Sequence, residues 1–209
     1  MKKVKTRDRI LDTSLQLFNS QGEPNVTTLL ISDELEISPG NLYYHFKSKG
    51  DIVEELFGQY ETEMMDLLAV PEDAEVPLDQ FSFFLHLLFE SVARYRFLYQ
   101  DLVNVLSRYP VLQPRFKRIL KKKRSAFFTL CESFRRQELM VIPEQELDAL
   151  CEQLTLTVSY WSSFDTLSHL DDREAVDPVR GVSQMLHLML PYLQDIARDE
   201  AILTIESYR

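Results

Sequence analysis

The chain has 209 residues, of which 45% are hydrophobic and 27% charged, with only 5 glycines and 9 prolines. This balance is typical of a folded globular chain and excludes collagen-like and low-complexity sequences. No run approaches the roughly 18 uninterrupted apolar residues of a membrane-spanning helix. Asp8 and Asp12 lie where a secretory signal requires an apolar run. The sequence therefore predicts a cytoplasmic protein with no membrane partner.

Charge is distributed unevenly along the chain. The formal net charge is −10, but residues 1–50 contain seven basic and six acidic side chains, a net +1, and the remaining residues carry −11. Phosphate repels an acidic surface, so only the N-terminal part of the chain is suited to nucleic acid. The asymmetry permits DNA binding by the first fifty residues without establishing it. Three lysines at the N-terminus, Lys2, Lys3 and Lys5, are expected to add non-specific affinity.

Apolar residues recur mainly at helical spacing, and no segment alternates long enough to predict a strand. In chain order, helices are predicted over about 6–21, 27–35, 38–46, 49–69, 78–95, 99–107, 113–137, 144–170 and 177–203. An acidic segment bracketed by prolines, 71–77, separates the fourth from the fifth, and 171–174 form a polar connection before the last. The expected fold is all-α, with an N-terminal three-helix head on a larger helical bundle and about nine helices.

Two domains follow from this organisation. We predict that residues 1–50 form a helix-turn-helix head and that the helix at 49–69 connects it to the rest. Residues 51–209 are predicted to form a helical domain for ligand binding and dimerisation.

Residues 27–50 read TTLLISDELEISPGNLYYHFKSKG, a pattern that predicts a helix-turn-helix. A threonine can cap the first short helix, and Ser38 followed by Pro39 can open the second. Leu42 and Phe46 are four residues apart and are expected to face the core. The other side chains can donate hydrogen bonds to phosphates or bases. The predicted DNA-binding residues are Thr27, Thr28, Ser38, Pro39, Gly40, Asn41, Tyr43, Tyr44, His45 and Lys49.

This arrangement resembles the TetR family of bacterial transcriptional regulators. The resemblance covers about residues 5–57 and depends on Gly22, Thr27-Thr28, the segment 37–46 and Lys49. It implies a fold of about nine helices, three of them in a DNA-binding head. It also implies a homodimer built mostly from the last two helices, with a ligand pocket in each core, and most commonly a repressor.

Two positions depart from the family pattern. Leu29 follows the capping threonines, where the family often has a basic or polar residue that reads a base. Glu36 precedes the turn, where a small residue or glycine is common. We therefore expect the third helix to contribute more of the readout, with DNA shape adding specificity.

The C-terminal part contains more apolar residues than one core requires. Bundle interiors are common ligand sites, and the residues assigned to a pocket are Phe84, Leu88, Tyr95, Tyr99, Phe127, Tyr160, Trp161 and Phe164. The last two predicted helices have apolar residues on more than one face, which favours burial against a second copy. The residues assigned to that interface are Leu154, Val158, Val182, Met185, Met189 and Leu193.

Residues 115–124 are the most basic segment of the chain. One interpretation is a solvated helix face with Phe116 and Ile119 turned inward. The other is a mouth for an anionic ligand, such as an acyl thioester of coenzyme A. Cys131 and Cys151 form no CxxC pair and lie in apolar helical patterns, so we predict two buried free thiols.

The sequence favours a ligand-responsive transcriptional regulator, a homodimeric repressor released from its operator by a small apolar or amphipathic molecule. The expected partners are double-stranded operator DNA, a second copy of the chain and an unidentified small-molecule effector. An alternative is a helical carrier or sensor of lipophilic ligands whose head binds protein. An enzyme, a cofactor and a metal are not expected. The four histidines provide no repeated Glu-x-x-His pairs, and neither a phosphate-binding glycine loop nor a Gly-x-Ser-x-Gly motif occurs.

Overall fold

The computed structural model describes residues 5–169 and 177–208. Over these ranges it contains eleven α-helices: α1 Thr6–Gln21, α2 Thr28–Glu34, α3 Pro39–His45, α4 Lys49–Leu67, α5 Leu78–Arg94, α6 Arg96–Gln100, α7 Leu102–Arg108, α8 Gln113–Arg136, α9 Glu144–Ser168, α10 Pro178–Met189 and α11 Asp195–Glu206. The extended backbone of these ranges pairs only in an isolated antiparallel bridge between Met140 and Leu193. The all-α prediction is confirmed. The lysines at positions 2 and 3 and the connection at 171–174 lie outside the described residues.

The three helices predicted for the head are present, and local signals explain where they begin. The Thr27 hydroxyl accepts a hydrogen bond from the Leu30 amide at 3.1 Å and caps α2. The Ser38 hydroxyl accepts one from the Asn41 amide at 3.2 Å and caps α3. Each cap satisfies an amide that has no partner within its helix.

Two predicted helices are each divided in the structure. The helix predicted at 99–107 is replaced by α6 and α7, which are separated by Asp101 in a non-helical conformation with φ −135° and ψ 37°. The helix predicted at 177–203 is replaced by α10 and α11. Pro191 follows the end of α10, and proline has no amide hydrogen and clashes with the preceding turn. These two breaks account for eleven helices instead of about nine.

The chain divides into two compact units. The first contains the described residues up to Thr62 together with Tyr95–Arg115, and the second contains Glu63–Arg94 together with the described residues from Phe116 onward. The first unit therefore includes α6 and α7 as well as the three head helices. Its core includes Ile10, Phe18, Ile31, Leu42 and Phe57, all fully buried. Residues Tyr95–Arg115 thus belong to the same compact unit as the N-terminal helices. The predicted domain boundary at residue 50 assigns these residues to the C-terminal domain instead.

In the second unit, α5 and α10 approach each other closely at Gly181. A Cβ atom added at this glycine would lie 2.5 Å from the Phe89 ring, much closer than atoms pack in proteins. Gly181 therefore permits the contact between the two helices. In the described ranges, no helix is both long enough and apolar enough to cross a membrane.

Candidate functional site

The α3 helix separates its side chains into a buried and an exposed side. Leu42 is fully buried and Phe46 nearly so, while Tyr44 is 78% exposed. Ser38, Pro39, Gly40, Asn41 and Tyr43 are also exposed, and His45 is half-buried. The structure therefore brings the predicted DNA-binding residues of this helix together on a surface open to solvent.

A hydrogen bond connects α2 to α3 within this surface. The Thr28 and Tyr43 hydroxyls are 3.0 Å apart. The rings of Tyr44 and His45 meet edge to face with their centroids 5.1 Å apart. These contacts limit the rotamers of the exposed side chains, so several polar groups are ordered in the absence of a partner.

The junction between α3 and α4 is fixed by a reciprocal capping box. The Ser48 amide donates to Asp51 Oδ2 at 3.1 Å, and the Asp51 amide donates to the Ser48 hydroxyl at 3.2 Å. Lys49 begins α4, and its Nζ lies 2.8 Å from Glu23 Oε1. The same Nζ donates to the Glu23 backbone carbonyl at 2.9 Å. This lysine was predicted as a DNA contact, and the structure adds an internal ion pair.

Glu23 is the centre of an ionic cluster that the sequence reasoning missed. Its side chain is 1% exposed, and Arg108 Nη2 lies 2.8 Å from its Oε2. The Tyr109 hydroxyl donates to its Oε1 at 2.6 Å. The partners are 26, 85 and 86 residues away in the chain, so no local pattern indicates them.

The pKa of Glu23 reflects two opposed effects. Burial by itself raises the pKa of this carboxyl, but hydrogen bonds from Lys49 and Tyr109 and the charges of Lys49 and Arg108 outweigh burial and lower the pKa below its ordinary value. Glu23 is therefore ionised at neutral pH and joins the loop after α1 to the start of α4 and the end of α7.

The turn between α2 and α3 contains a residue in a conformation that favours glycine. Glu36 has φ 53°, in the left-handed region, and its amide bonds to the Asp33 carbonyl at 3.1 Å. A side chain at such a φ costs roughly 1 kcal/mol relative to glycine. A small residue or glycine is common at this position of the family pattern, and the backbone strain at Glu36 is a physical reason for that preference.

The structure distributes the eight predicted pocket residues over three places. Tyr95 and Tyr99 are buried in the first unit, where both rings contact Tyr60. In the second unit, Phe84 and Phe127 meet edge to face at 6.3 Å, and Leu88 is fully buried. The last three members, Tyr160, Trp161 and Phe164, line an open groove of about 430 Å³.

All six residues predicted for the dimer interface are core residues of a single chain. Leu154, Val158, Val182, Met185, Met189 and Leu193 are at most 3% exposed. Their side chains have no surface to offer to a second copy. Helix α9 instead exposes a different apolar row, four residues that lie at helical spacing: Leu156, Tyr160, Phe164 and Leu167.

The basic segment at 115–124 matches the interpretation of a solvated helix face, except at Lys123. Phe116 and Ile119 are buried while most cations of the segment are exposed, as a solvated helix face requires. Lys123 is fully buried, with Nζ 3.4 Å from the Ser159 hydroxyl, and burial lowers the pKa of this lysine to about 7.

Cys131 and Cys151 are buried and free, as predicted. A hydrogen bond between the two thiols, together with burial, raises the pKa of Cys131.

Two short helices joined by a tight turn, the second with an exposed polar side, define a helix-turn-helix protein. Comparison with family models agrees: the family described as "Bacterial regulatory proteins, tetR family" matches residues 10–56, and the TetR model described as "Bacterial transcriptional repressor" matches residues 59–201. The chain belongs to the TetR family. The resemblance found in the sequence is confirmed, and so is the prediction of a regulator rather than an enzyme.

Two solved structures share this fold over most of the chain. The crystal structure of a TetR-family transcriptional regulator from Marinobacter aquaeolei VT8 is 34% identical, with a TM-score of 0.88 over 99% of this chain and 100% of that one. The KstR2 ketosteroid transcriptional regulator of Mycobacterium tuberculosis is 18% identical, with a TM-score of 0.64 over 93% and 98%. The HTH-type transcriptional repressor KstR2 of Mycolicibacterium smegmatis is 30% identical over 115 residues, 50% of this chain and 53% of that protein. The match thus spans about half of that curated relative.

Proposed function

We propose that the chain is a homodimeric repressor that binds a double-stranded DNA operator through the exposed side of α3 and is released by a small apolar or amphipathic molecule. The observation that carries the proposal is the division of α3 into a fully buried Leu42 and a 78% exposed Tyr44. A helix that is anchored on one side and polar on the other is suited to the major groove.

We assign readout and positioning to different residues. Asn41 and Tyr44 are exposed with free access to a base edge or a phosphate, and Tyr43 is oriented by Thr28. Lys49 is 26% exposed, so its ammonium group reaches solvent while it contacts Glu23. This geometry suits a phosphate contact at the start of α4.

DNA binding is tested with the duplex upstream of the protein's own coding region. The Tyr44→Ala change is expected to weaken binding by about 1–3 kcal/mol if the side chain contacts a base. Val111→Ala, an exposed position of the same unit, serves as the control and is expected to bind like the unchanged protein. Fluorescence anisotropy over a series of salt concentrations measures both. If no genomic duplex binds at low salt, the proposal fails in favour of a head that binds protein.

We propose that the dimer forms through the exposed apolar row of α9, the residues Leu156, Tyr160, Phe164 and Leu167. The open groove of about 430 Å³ beside this row is also lined by Leu188 of α10, so the apolar surface continues onto the next helix. Contiguous apolar surface of this kind is typical of contact between proteins. Two heads on one dimer gain affinity because the second binds intramolecularly.

A charge placed in this row tests the interface. Phe164→Glu is expected to halve the mass in solution, because a carboxylate cannot be buried unpaired in an apolar contact. Phe83→Glu alters a similarly exposed phenylalanine on α5 and is expected to leave the mass unchanged. Light scattering after gel filtration measures both. A dimer that persists in Phe164→Glu would contradict the assignment.

A further inference from the structure

The second unit contains an acidic groove between the end of α4 and α5. Its volume is about 410 Å³, and its carboxylates belong to Glu63, Asp66 and Glu90. This volume is within the range of roughly 300–1,000 Å³ that is typical of small-molecule sites. The groove is separate from the residues assigned to the pocket by sequence.

The charges of the groove favour a cation. Against its three carboxylates, the lining contains one guanidinium, that of Arg94, whose Nη1 lies 3.6 Å from Glu63 Oε2. Both partners of that pair are well exposed, so solvent screens it strongly. The described residues contain no group of three or more potential ligands arranged for a metal ion. An organic cation is therefore the better match for the groove.

A buried hydroxyl gives an independent indication of a ligand. Ser91 is 2% exposed, lines the groove, and its Oγ has no hydrogen-bond partner. A buried polar group without a partner costs roughly 1–3 kcal/mol. A ligand with a polar group that hydrogen-bonds this hydroxyl would remove the cost, which a purely apolar ligand cannot do.

Two leucines provide the apolar part of the groove. Leu67 on α4 and Leu87 on α5 are both half-buried and line it. Apolar walls with a few polar groups are typical of sites that bind amphipathic small molecules. The groove thus combines an apolar surface with a negative potential and an acceptor for a donated hydrogen bond.

We propose that this groove is the effector site and binds an amphipathic organic cation, a protonated amine attached to a hydrocarbon or aryl group. The ammonium group lies among the carboxylates and donates to Ser91, and the hydrocarbon contacts Leu67 and Leu87. The proposal rests on the proposed function, because an effector presupposes a regulator. Helix α4 is continuous from Lys49 to Leu67, so a ligand at its last turn contacts the helix that begins at the candidate DNA surface. The ligand releases DNA only if it binds the released conformation more tightly.

Calorimetry on the free protein tests the ligand class with three probes of one shape. Phenylbutylamine is expected to bind, and neutral phenylbutanol and anionic phenylbutyrate are each expected to bind at least about tenfold more weakly, since about 1.4 kcal/mol of charge interaction is a factor of ten. Equal binding of the amine and the alcohol would overturn the proposal.

Variants then locate the site. Glu63→Gln combined with Glu90→Gln is expected to weaken amine binding about tenfold, and Glu152→Gln, an exposed glutamate on α9, is expected to have no effect. Arg94→Gln removes the competing guanidinium and is expected to strengthen amine binding, a gain that misfolding cannot produce. Unchanged affinity in both groove variants would overturn the proposal.

Binding of the upstream DNA duplex is measured separately from binding of the amine. If the protein binds its upstream duplex but not the amine, the groove proposal fails while the proposed function stands. If the amine binds in the groove but no duplex binds, the proposed regulator fails and the ligand site stands. Amine binding that weakens duplex binding, with both effects reduced in the double variant, supports the two together.

Discussion

The two units bury charge in contrasting ways. In the first, the Glu23 carboxylate contacts a lysine, an arginine and a tyrosine hydroxyl, and its pKa lies below the ordinary value. In the second, the Lys123 ammonium is fully buried near the Ser159 hydroxyl, and burial lowers its pKa to about 7. Burial opposes ionisation at both sites, but at Glu23 the hydrogen bonds and charges of its partners outweigh burial, whereas at Lys123 burial prevails.

The contrast shows that the balance between burial and the interactions of a charged group determines whether that group stabilises a fold. Glu23 gains enough from its donors to remain ionised. The charged form of Lys123 is disfavoured by burial, so the buried ammonium lowers the free energy of unfolding. Four changes, in decreasing order of expected effect, test this comparison.

Removal of Glu23 is expected to have the largest effect. Glu23→Ala leaves Lys49 and Arg108 without their shared carboxylate and is expected to lower the free energy of unfolding by about 3–5 kcal/mol. Because the folded pKa of Glu23 is lowered, its contribution is present above the ordinary value of 4.5 and is lost as the pH falls through the folded value. Urea unfolding from pH 3 to 7 measures the loss. Glu34→Ala, an exposed glutamate of α2, is expected to change little.

Replacement of Lys123 is expected to act in the opposite direction. Lys123→Met keeps most of the side-chain volume and is expected to raise the free energy of unfolding at pH 7 by about 2–4 kcal/mol, because no ammonium is then buried. In the unchanged protein the penalty is full below about pH 7 and is relieved as the pH rises towards 10.5, the ordinary value for lysine. The gain should therefore shrink between pH 7 and pH 10. A gain that does not depend on pH would contradict the explanation.

The contact at Gly181 tests the packing on which the second unit depends. Gly181→Ala forces a methyl group against the Phe89 ring and is expected to cost about 1–3 kcal/mol of stability. Phe89→Leu in the same chain opens space and should recover part of the loss. Thermal unfolding of the single and double variants measures the coupling. Simple additivity of the two changes would show that the contact is not tight.

The smallest expected effect concerns the turn of the first unit. Glu36→Gly removes the side chain from a left-handed residue and is expected to stabilise the protein by at most about 0.5 kcal/mol, the strain of roughly 1 kcal/mol minus the greater flexibility of glycine in the unfolded chain. Asp33→Gly, in the same turn region but in a helix, should destabilise it instead. The midpoints of urea unfolding give both values.

Local chemistry made much of the head predictable. The caps at Thr27 and Ser38, and the spacing of Leu42 and Phe46, depend on residues within one or two helical turns. The exposure of Asn41 and Tyr44 follows from the same spacing. Such features require no knowledge of how distant segments meet.

Features that depend on distant segments were not predictable. Glu23 lies in a polar stretch typical of a surface turn, and its partner Arg108 is 85 residues away. Lys123 lies among exposed cations, so composition indicated a solvated residue. For the dimer, periodicity shows that one side of a helix is buried but not by what. The predicted stripe of Leu154 and Val158 therefore proved to be the core of one chain, and the interface proposed here uses the opposite row.

The adjacent thiols of Cys131 and Cys151 allow transient local opening of the second unit to be measured. Both are shielded from solvent, and the raised pKa of Cys131 keeps it as the unreactive thiol. An alkylating reagent can reach them only when the helices around them part transiently. The labelling rate of the native protein therefore reports how often α8 and α9 separate. A ligand that holds these two helices together would lower the labelling rate, and the measurement needs no engineered cysteine.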